Sequence, residues 1–151
     1  MQLLGFRLLD GDFAFRIQEV REVDQLPAVM PVPQAPTAIV GVVKARGEIV
    51  PVVNLRALLG LSDKPPDPAS RLVFVELSDP AAGGKRLLGC IVDGTTRILR
   101  IPKHSIAPAP PELRGRGRVG LDGVARIEGG LIMILRAASL LSAHEIEQLP
   151  M

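Results

Sequence analysis

The chain has 151 residues, of which 47% are hydrophobic, so it is long enough for one domain or for two very small units that share a core, and global disorder is excluded. Its formal net charge of +2 is too small to indicate nucleic-acid binding by itself. A single cysteine, Cys90, excludes an intramolecular disulfide, and no signal sequence or membrane-spanning apolar run is present, so we expect a soluble cytoplasmic protein.

The first third of the chain predicts strands and extended segments. A hairpin is expected over residues 3–17, because Asp10-Gly11 is a strong turn signal between alternating apolar positions. Four prolines between residues 27 and 36 exclude a long helix there and keep the segment extended.

A second hairpin is expected over residues 39–55, in which two β-branched runs flank a polar segment. Gly47 can supply the positive φ that a tight turn needs, so Arg46-Gly47 is placed at or near the tip. Pro51 has no amide hydrogen, which predicts an edge strand or a bulge at that position. One short helical turn, closed by Gly60, follows the hairpin.

The rest of the chain continues the same strand-rich pattern, and its strand signals recur at the spacing of small barrels or sandwiches. Ser142 and Glu145 have the spacing of a capping box, which predicts the start of a short C-terminal helix. The expected elements are strands over 71–77, 86–94 and 95–102, a hairpin over 123–135 and a helical turn over 135–141.

An internal repeat relates the two halves of the sequence. Residues 41–60 align without gaps on residues 123–142, and residues 13–27 align on residues 88–102. The sequence therefore predicts two copies of one strand-rich unit, each ending in a helical turn.

The repeat also predicts two ion pairs. In the alignment Glu22 falls on Arg97, and Arg46 falls on Glu128. If Glu22 pairs with Arg46 in one unit, the same pair is expected in the other unit with its charges reversed. An exposed pair contributes at most about 1 kcal/mol, so we expect Glu22–Arg46 to orient a surface more than to hold the fold together.

Residues 41–61, GVVKARGEIVPVVNLRALLGL, resemble the hallmark of CheW-like domains: a glycine, an apolar pair, Arg-Gly, then Pro-Val-Val and a short helix. Three further blocks, 6–23, 86–102 and 123–142, match in the same order, so the resemblance covers nearly the whole chain. It implies an all-β fold of two small, five-stranded SH3-like β-barrels packed together, with short helical turns and a short C-terminal helix. Residues 1–151 would form a single CheW-like domain of two intertwined barrel subdomains.

The same resemblance implies function and partners. Members of the family are adaptors without catalysis and without a cofactor, and they join chemoreceptor cytoplasmic tips to the regulatory domain of a CheA-type histidine kinase. The chain is therefore expected to be a non-catalytic scaffold in a chemosensory array, with no nucleic-acid partner and no direct insertion into a membrane. Four departures from the family pattern bear on partner identity, namely Lys44-Ala45, Asn54, Thr95 and Arg136.

The resemblance places Val20 on the receptor-facing surface, where an apolar groove accepts a helical hairpin. Val23 lies on the same strand. The alternative to receptor contact for both valines is ordinary burial in a half-covered strand. Thr95 is the repeat-related neighbour of Val20. The full set of expected partner-binding residues is Val20, Glu22, Val23, Arg46, Gly47, Val50, Pro51 and Thr95.

The sequence gives weaker support to other classes of function. The alternative is a nucleic-acid-binding β-barrel that uses the basic segment 114–118, although no aromatic residue interleaves this segment. Cys90 lies in an apolar strand and is expected to be an inert buried thiol. His104 and His144 lack any nearby ligand pattern, so neither a metal site nor base catalysis is expected.

Overall fold

The computed structural model describes residues 1–35, 38–79, 83–108, 121–141 and 149, without the side chains of residues 78, 79, 95 and 96. These residues form two β-sheets with short helical turns between strands. In chain order, the elements are β1 (Gln2–Leu8), β2 (Gly11–Arg16), β3 (Val20–Gln25), β4 (Ile39–Ala45), β5 (Glu48–Asn54), α1 (Leu55–Leu58), β6 (Arg71–Asp79), β7 (Gly84–Val92), β8 (Gly94–Arg100), β9 (Ile106–Pro108), β10 (Leu121–Ile127) and β11 (Gly130–Leu135).

The two sheets have equivalent strand orders, and the repeat-related segments of the sequence occupy equivalent places in them. One sheet, which we call barrel A, has the order β8-β1-β2-β11-β10-β9, and the other, barrel B, has the order β3-β6-β7-β5-β4. The hairpins β4–β5 and β10–β11 occupy equivalent places, and each contributes one parallel pairing, β5 with β7 and β11 with β2. The expected all-β fold of two small barrels is therefore confirmed.

Each barrel is closed by a segment that leaves one edge strand and returns to pair with the opposite edge. In barrel A, β9 pairs with β10, whereas in barrel B the chain beyond β3 makes a single bridge, in which Met30 and Val42 exchange two backbone hydrogen bonds of 2.8 and 2.9 Å. A glycine lies at each crossing. A Cβ on Gly41 would stand 2.0 Å from the Met30 carbonyl oxygen, and one on Gly123 would stand 2.8 Å from that of Ala107.

Three apolar clusters form the core. One fills barrel A around Leu3, Ala14 and Ile132, and a second fills barrel B around Val52 and Leu72. The third and largest contains buried side chains of both sheets and forms a seam between the barrels. The seam residues include Leu4, Phe6, Phe13, Phe15, Val73, Val75, Leu88, Cys90 and Leu135. Each barrel therefore has an interior of its own, while the seam is common to both.

Two turn and strand predictions need correction. Leu8 pairs with Gly11, so the first hairpin turns at Leu9-Asp10 instead of Asp10-Gly11, and Leu9 takes a φ of 53°. Strand β5 is not an edge strand, because it pairs with both β4 and β7. Pro51 is tolerated there because pairing with β7 begins only at the next residue, Val52, so the proline borders a locally unpaired stretch.

The helical turn after β5 is confirmed as α1. Its N-cap is Asn54, whose side chain accepts a hydrogen bond from the Arg56 amide, and Gly60 follows with a φ of 74°. The equivalent turn in the second unit is a 3-10 turn at Ala137–Ser139. The predicted C-terminal helix from Ser142 lies outside the described residues.

Candidate functional site

The Arg46-Gly47 turn joins β4 to β5 at one end of barrel B. Ala45 pairs with Glu48, and the two residues between them have positive φ angles of 51° and 78°. This combination is the backbone of a type I′ turn, which suits the right-handed twist of a hairpin. Glycine adopts it freely, whereas Arg46 does so at a cost of roughly 1–2 kcal/mol. The turn therefore holds the arginine in a set direction at the barrel end.

The predicted ion pair between Glu22 and Arg46 is confirmed. Nε of Arg46 lies 2.8 Å from Oε1 of Glu22, with the arginine side chain 66% exposed and the glutamate 28% exposed. Glu22 belongs to β3 and Arg46 follows β4, and these strands are the two edges of barrel B. The pair therefore bridges the edges of the sheet. Beside it lies an open cavity of 490 Å³, whose lining includes Lys44 and Phe74.

The sign-reversed pair predicted for the other unit is wrong, because in the described part of the chain no ion pair joins Arg97 to Glu128. The reason is a difference in turn geometry. Of the two residues in the second turn, only Gly129 has a positive φ, so Glu128 does not take the conformation that directs Arg46. Arg97 instead lines a small cavity together with Arg7.

Val20 and Val23 lie on β3 and are half-buried. They pair in register with Val75 and Val73 of β6, and both pack against the seam cluster. The two valines are therefore partly buried, which lies between the two alternatives of the sequence analysis, full burial in the core and full exposure on a receptor-facing surface. Thr95 lies on β8, and its side chain is outside the described residues.

The remaining predicted site residues differ in accessibility. Gly47 is exposed, with open space where a Cβ would stand. Val50 and Pro51 are buried, and Val50 belongs to the interior of barrel B, so neither side chain offers a contact surface. Between these positions Ile49 is 57% exposed, and sequence reasoning missed it. Its repeat equivalent, Leu131, is 59% exposed, so this outward position is common to both hairpins.

A buried ionic network near the junction of the barrels was also missed. Arg56 of α1 donates to Asp93, which lies between β7 and β8, and both side chains are almost fully buried. The second carboxylate oxygen of Asp93 accepts from the amide of Leu9, and Arg56 also donates to the carbonyl of Lys64. A charged residue inside each of two apolar blocks, NLRALL and CIVDG, was the available signal.

Residues that could support catalysis or metal binding do not assemble within the described chain. Cys90 is fully buried in the seam, and burial raises the pKa of its thiol to about 12, which makes the thiolate scarce at neutral pH. His104 is exposed, and no group of three His, Cys, Asp or Glu among the described residues could hold a metal ion. His144 and the basic segment 114–118 lie outside the described residues.

The described residues contain no helix of the length and apolar character that a membrane span requires. The longest helical segment with assigned bounds is α1, a single turn.

Comparisons with known proteins agree with this architecture. The chemotaxis protein CheW of Rhizobium meliloti (strain 1021) is 32% identical over 146 residues, which cover 97% of this chain and 90% of that protein. The probable chemotaxis protein CheW of Rhizobium etli is 30% identical with the same coverage. The crystal structure of the scaffolding protein TtCheW from Thermoanaerobacter tengcongensis matches with a TM-score of 0.83 at 26% identity, covering 99% of this chain and 98% of that one.

The match to a protein family spans almost the whole sequence. Residues 2–145 match the CheW-like domain, and the matched region includes both barrels and both hairpins of the repeat. Together with the two relatives and the shared fold, this match shows that the chain belongs to the CheW-like domain family, a family of non-catalytic chemotaxis adaptors.

Proposed function

We propose that this protein couples the cytoplasmic tip of a chemoreceptor to the regulatory domain of a CheA-type histidine kinase. The observation that carries the proposal is the Glu22–Arg46 ion pair, which closes the edge of barrel B directly beside the half-buried Val20 and Val23. An ordered charged pair next to small aliphatic side chains is a surface that can align a partner while an apolar contact supplies affinity.

The receptor side of this proposal uses β3. Val20 and Val23 are β-branched and stiff, and their exposed parts lie along the margin of the seam. A shallow groove with small aliphatic walls accepts the apolar face of an amphipathic helix. A receptor tip that presents a helical hairpin fits this description.

The kinase side of the proposal uses the β4–β5 hairpin. Ile49 is the most prominent apolar side chain there, and Gly47 leaves the turn unobstructed. Arg21 and Lys85 line the adjoining cavity together with Ile49, so an exposed aliphatic anchor has a charged rim. Val50 and Pro51 support this surface from beneath through their packing. A small β-barrel of the kinase could pack its own exposed aliphatic side chains against Ile49.

The test is a binding measurement on Val20→Asp with a purified receptor-tip fragment. Because a carboxylate would stand unpaired against the apolar seam residues on which Val20 packs, we expect affinity to fall at least about tenfold, the equivalent of roughly 1.4 kcal/mol. Val124→Asp is the matched control, since Val124 is also half-buried and lies on β10, away from the proposed surface. An equal loss of affinity in both variants, or no loss in Val20→Asp, would contradict the receptor assignment.

A further inference from the structure

The chain passes between the two barrels at two repeat-equivalent places. It leaves barrel A after β2 through the 3-10 turn Ile17–Glu19, and it returns from β7 to β8 at Asp93. We call these the β2–β3 crossover and the β7–β8 crossover. In the repeat, Gln18 of the first is equivalent to Asp93 of the second.

The β7–β8 crossover is bonded to both barrels. The backbone amide of Asp93 donates to the carbonyl of Arg7 at 2.9 Å, and its carboxylate accepts from the Leu9 amide, so it is tied to the first hairpin of barrel A. The same carboxylate pairs with Arg56, which α1 carries at the end of β5 in barrel B. Arg56 in turn donates to the Lys64 carbonyl. One buried carboxylate thus joins a hairpin of one barrel to a helix of the other.

The β2–β3 crossover has no such connection among the described residues. Gln18 is exposed, and the residue equivalent to Arg56 is Ala138. One polar contact connects the two sides, a hydrogen bond of 3.4 Å from the Ala138 amide to Oε2 of Glu19. The other carboxylate oxygen of Glu19, Oε1, is buried without a hydrogen-bond partner in the described structure. Nε of Arg56 at the β7–β8 crossover also lacks a partner in the described structure, so the two crossovers differ in the ion pair that joins the barrels and not in the number of unsatisfied polar atoms.

We propose that the two barrels are pinned together at the β7–β8 crossover and can part by a small rotation at the β2–β3 crossover. The seam between them is apolar, and apolar contacts are not directional, so they permit small sliding and rocking movements that a buried hydrogen-bonded ion pair resists. The Arg56–Asp93 pair then acts as a positioning element for the barrels.

The side that opens is the side of β3. The 3-10 turn Ala137–Ser139 contacts β6, the neighbour of β3, and Glu19 immediately precedes Val20. Rotation about the Arg56–Asp93 pin therefore widens the space beside Val20. That this widening admits a receptor helix rests on the proposed function, whereas the pin and the rotation do not.

Distances between spin labels on the two barrels test the pin directly. One label pair, Ala57→Cys with Arg97→Cys, spans the β7–β8 side, and a second, Asp24→Cys with Ser139→Cys, spans the β2–β3 side; all four positions are exposed. The native thiol of Cys90 is fully buried, so it stays unlabelled. We expect a narrow distance distribution for the first pair and one at least about twice as broad for the second.

The variant that removes the pin is Arg56→Met combined with Asp93→Asn. It leaves no unpaired buried charge, and the asparagine oxygen can still accept from Leu9. We expect it to broaden the Ala57–Arg97 distribution to the width of the other pair. Ile132→Val in the interior of barrel A is the control, because it lowers stability without touching either crossover. Equal widths in the unmodified protein, or an unchanged first distribution in the double variant, would overturn the pin.

Addition of a receptor-tip fragment separates this inference from the proposed function. A longer Asp24–Ser139 distance with an unchanged Ala57–Arg97 distance supports opening beside Val20. Binding of the fragment with no change in either distance would overturn the opening. Failure of the fragment to bind would count against the proposed function, and the widths measured without it would still decide whether the barrels are pinned.

Discussion

Arg56 and Asp93 bring two charges into the interior, where each has lost most of its hydration. The pair is stable only as a pair, because the attraction between the charges and their hydrogen bonds offsets the desolvation of both groups. Such pairs fix the relative orientation of the elements that carry them more than they add to the net free energy of unfolding. At the surface the situation is the opposite, since Glu22 and Arg46 remain hydrated and their attraction is screened by salt.

We expect Arg56→Ala to lower the free energy of unfolding by about 3–5 kcal/mol, because it leaves the Asp93 carboxylate buried and unpaired. Arg56→Met with Asp93→Asn should lose clearly less, since both charges are removed together. Urea unfolding of the two variants and the unmodified protein provides the comparison. If the double variant is as unstable as Arg56→Ala, the loss comes from packing rather than from the charge.

Arg46→Lys should change the free energy of unfolding by less than about 1 kcal/mol, because the residue is exposed and keeps its charge. Binding to the kinase regulatory domain should fall further, since an ammonium lacks the planar guanidinium whose Nε meets Glu22. A double-mutant cycle with Glu22→Ala and Arg46→Ala measures the coupling. Additive effects on kinase-domain binding would show that the two residues act independently.

At the scale of elements, barrel closure depends on how closely the returning segment approaches the last strand. Met30 bonds to Val42 only because Gly41 has no side chain at the crossing. The equivalent crossing in barrel A uses Gly123, with slightly more space. The glycine of the Arg46-Gly47 turn is required for a different reason, namely its positive φ, and its surroundings are open.

We therefore expect Gly41→Ala to be more harmful than Gly47→Ala. The first places a methyl group 2.0 Å from the Met30 carbonyl oxygen, so the Met30–Val42 bridge must break, with a loss of at least about 3 kcal/mol from two backbone hydrogen bonds and their packing. The second carries only conformational strain of roughly 1–2 kcal/mol. Thermal melts rank the two. A more damaging Gly47→Ala would mean that the turn, not the crossing, limits closure.

Sequence patterns predicted the elements whose signals are local. Both hairpins of the repeat, the strands on either side of Asp93 and the turn closed by Gly60 were found this way. Features set by tertiary pairing were not. The interior place of β5 depends on a parallel partner strand that is distant in sequence, since Val52 pairs with Gly89, and the absence of the Arg97–Glu128 pair depends on one φ angle. Alignment of a repeat predicts strand topology well, but it does not predict the type of turn within a hairpin.

The candidate site shows the same division. The ion pair was predictable because repeat and resemblance both pointed to Glu22 and Arg46, whereas the burial of Val50 and the exposure of Ile49 depend on which face of β5 the barrel encloses. The Arg56–Asp93 network was hidden for another reason. Its members are far apart in sequence, and the repeat replaces them with Gln18 and Ala138, so the alignment itself gave no hint of a pair.

For the whole molecule, the shared seam predicts a single cooperative unfolding transition. The largest apolar cluster belongs to both sheets, so neither barrel can unfold without exposing buried surface of the other. We expect calorimetry to show one transition with equal calorimetric and van't Hoff enthalpies. Leu72→Ala in barrel B and Ile132→Ala in barrel A should each lower the free energy of unfolding by about 2–5 kcal/mol, and both should shift the same transition to lower temperature. Two resolved transitions, each sensitive to one substitution, would contradict a common core.

The two crossovers also determine the order in which the strands of each barrel are synthesised on the ribosome. Barrel B runs without interruption from β3 to β7, so all of its strands emerge together, whereas barrel A is split between β1–β2 and the strands from Gly94 onward. At roughly 5–20 residues per second, the first hairpin waits on the order of ten seconds for its partner strands. During that interval Phe6, Phe13 and Phe15 can be covered only by the newly made barrel B or by a chaperone. Barrel B must therefore be synthesised in full before β1 and β2 can pair with the other strands of barrel A.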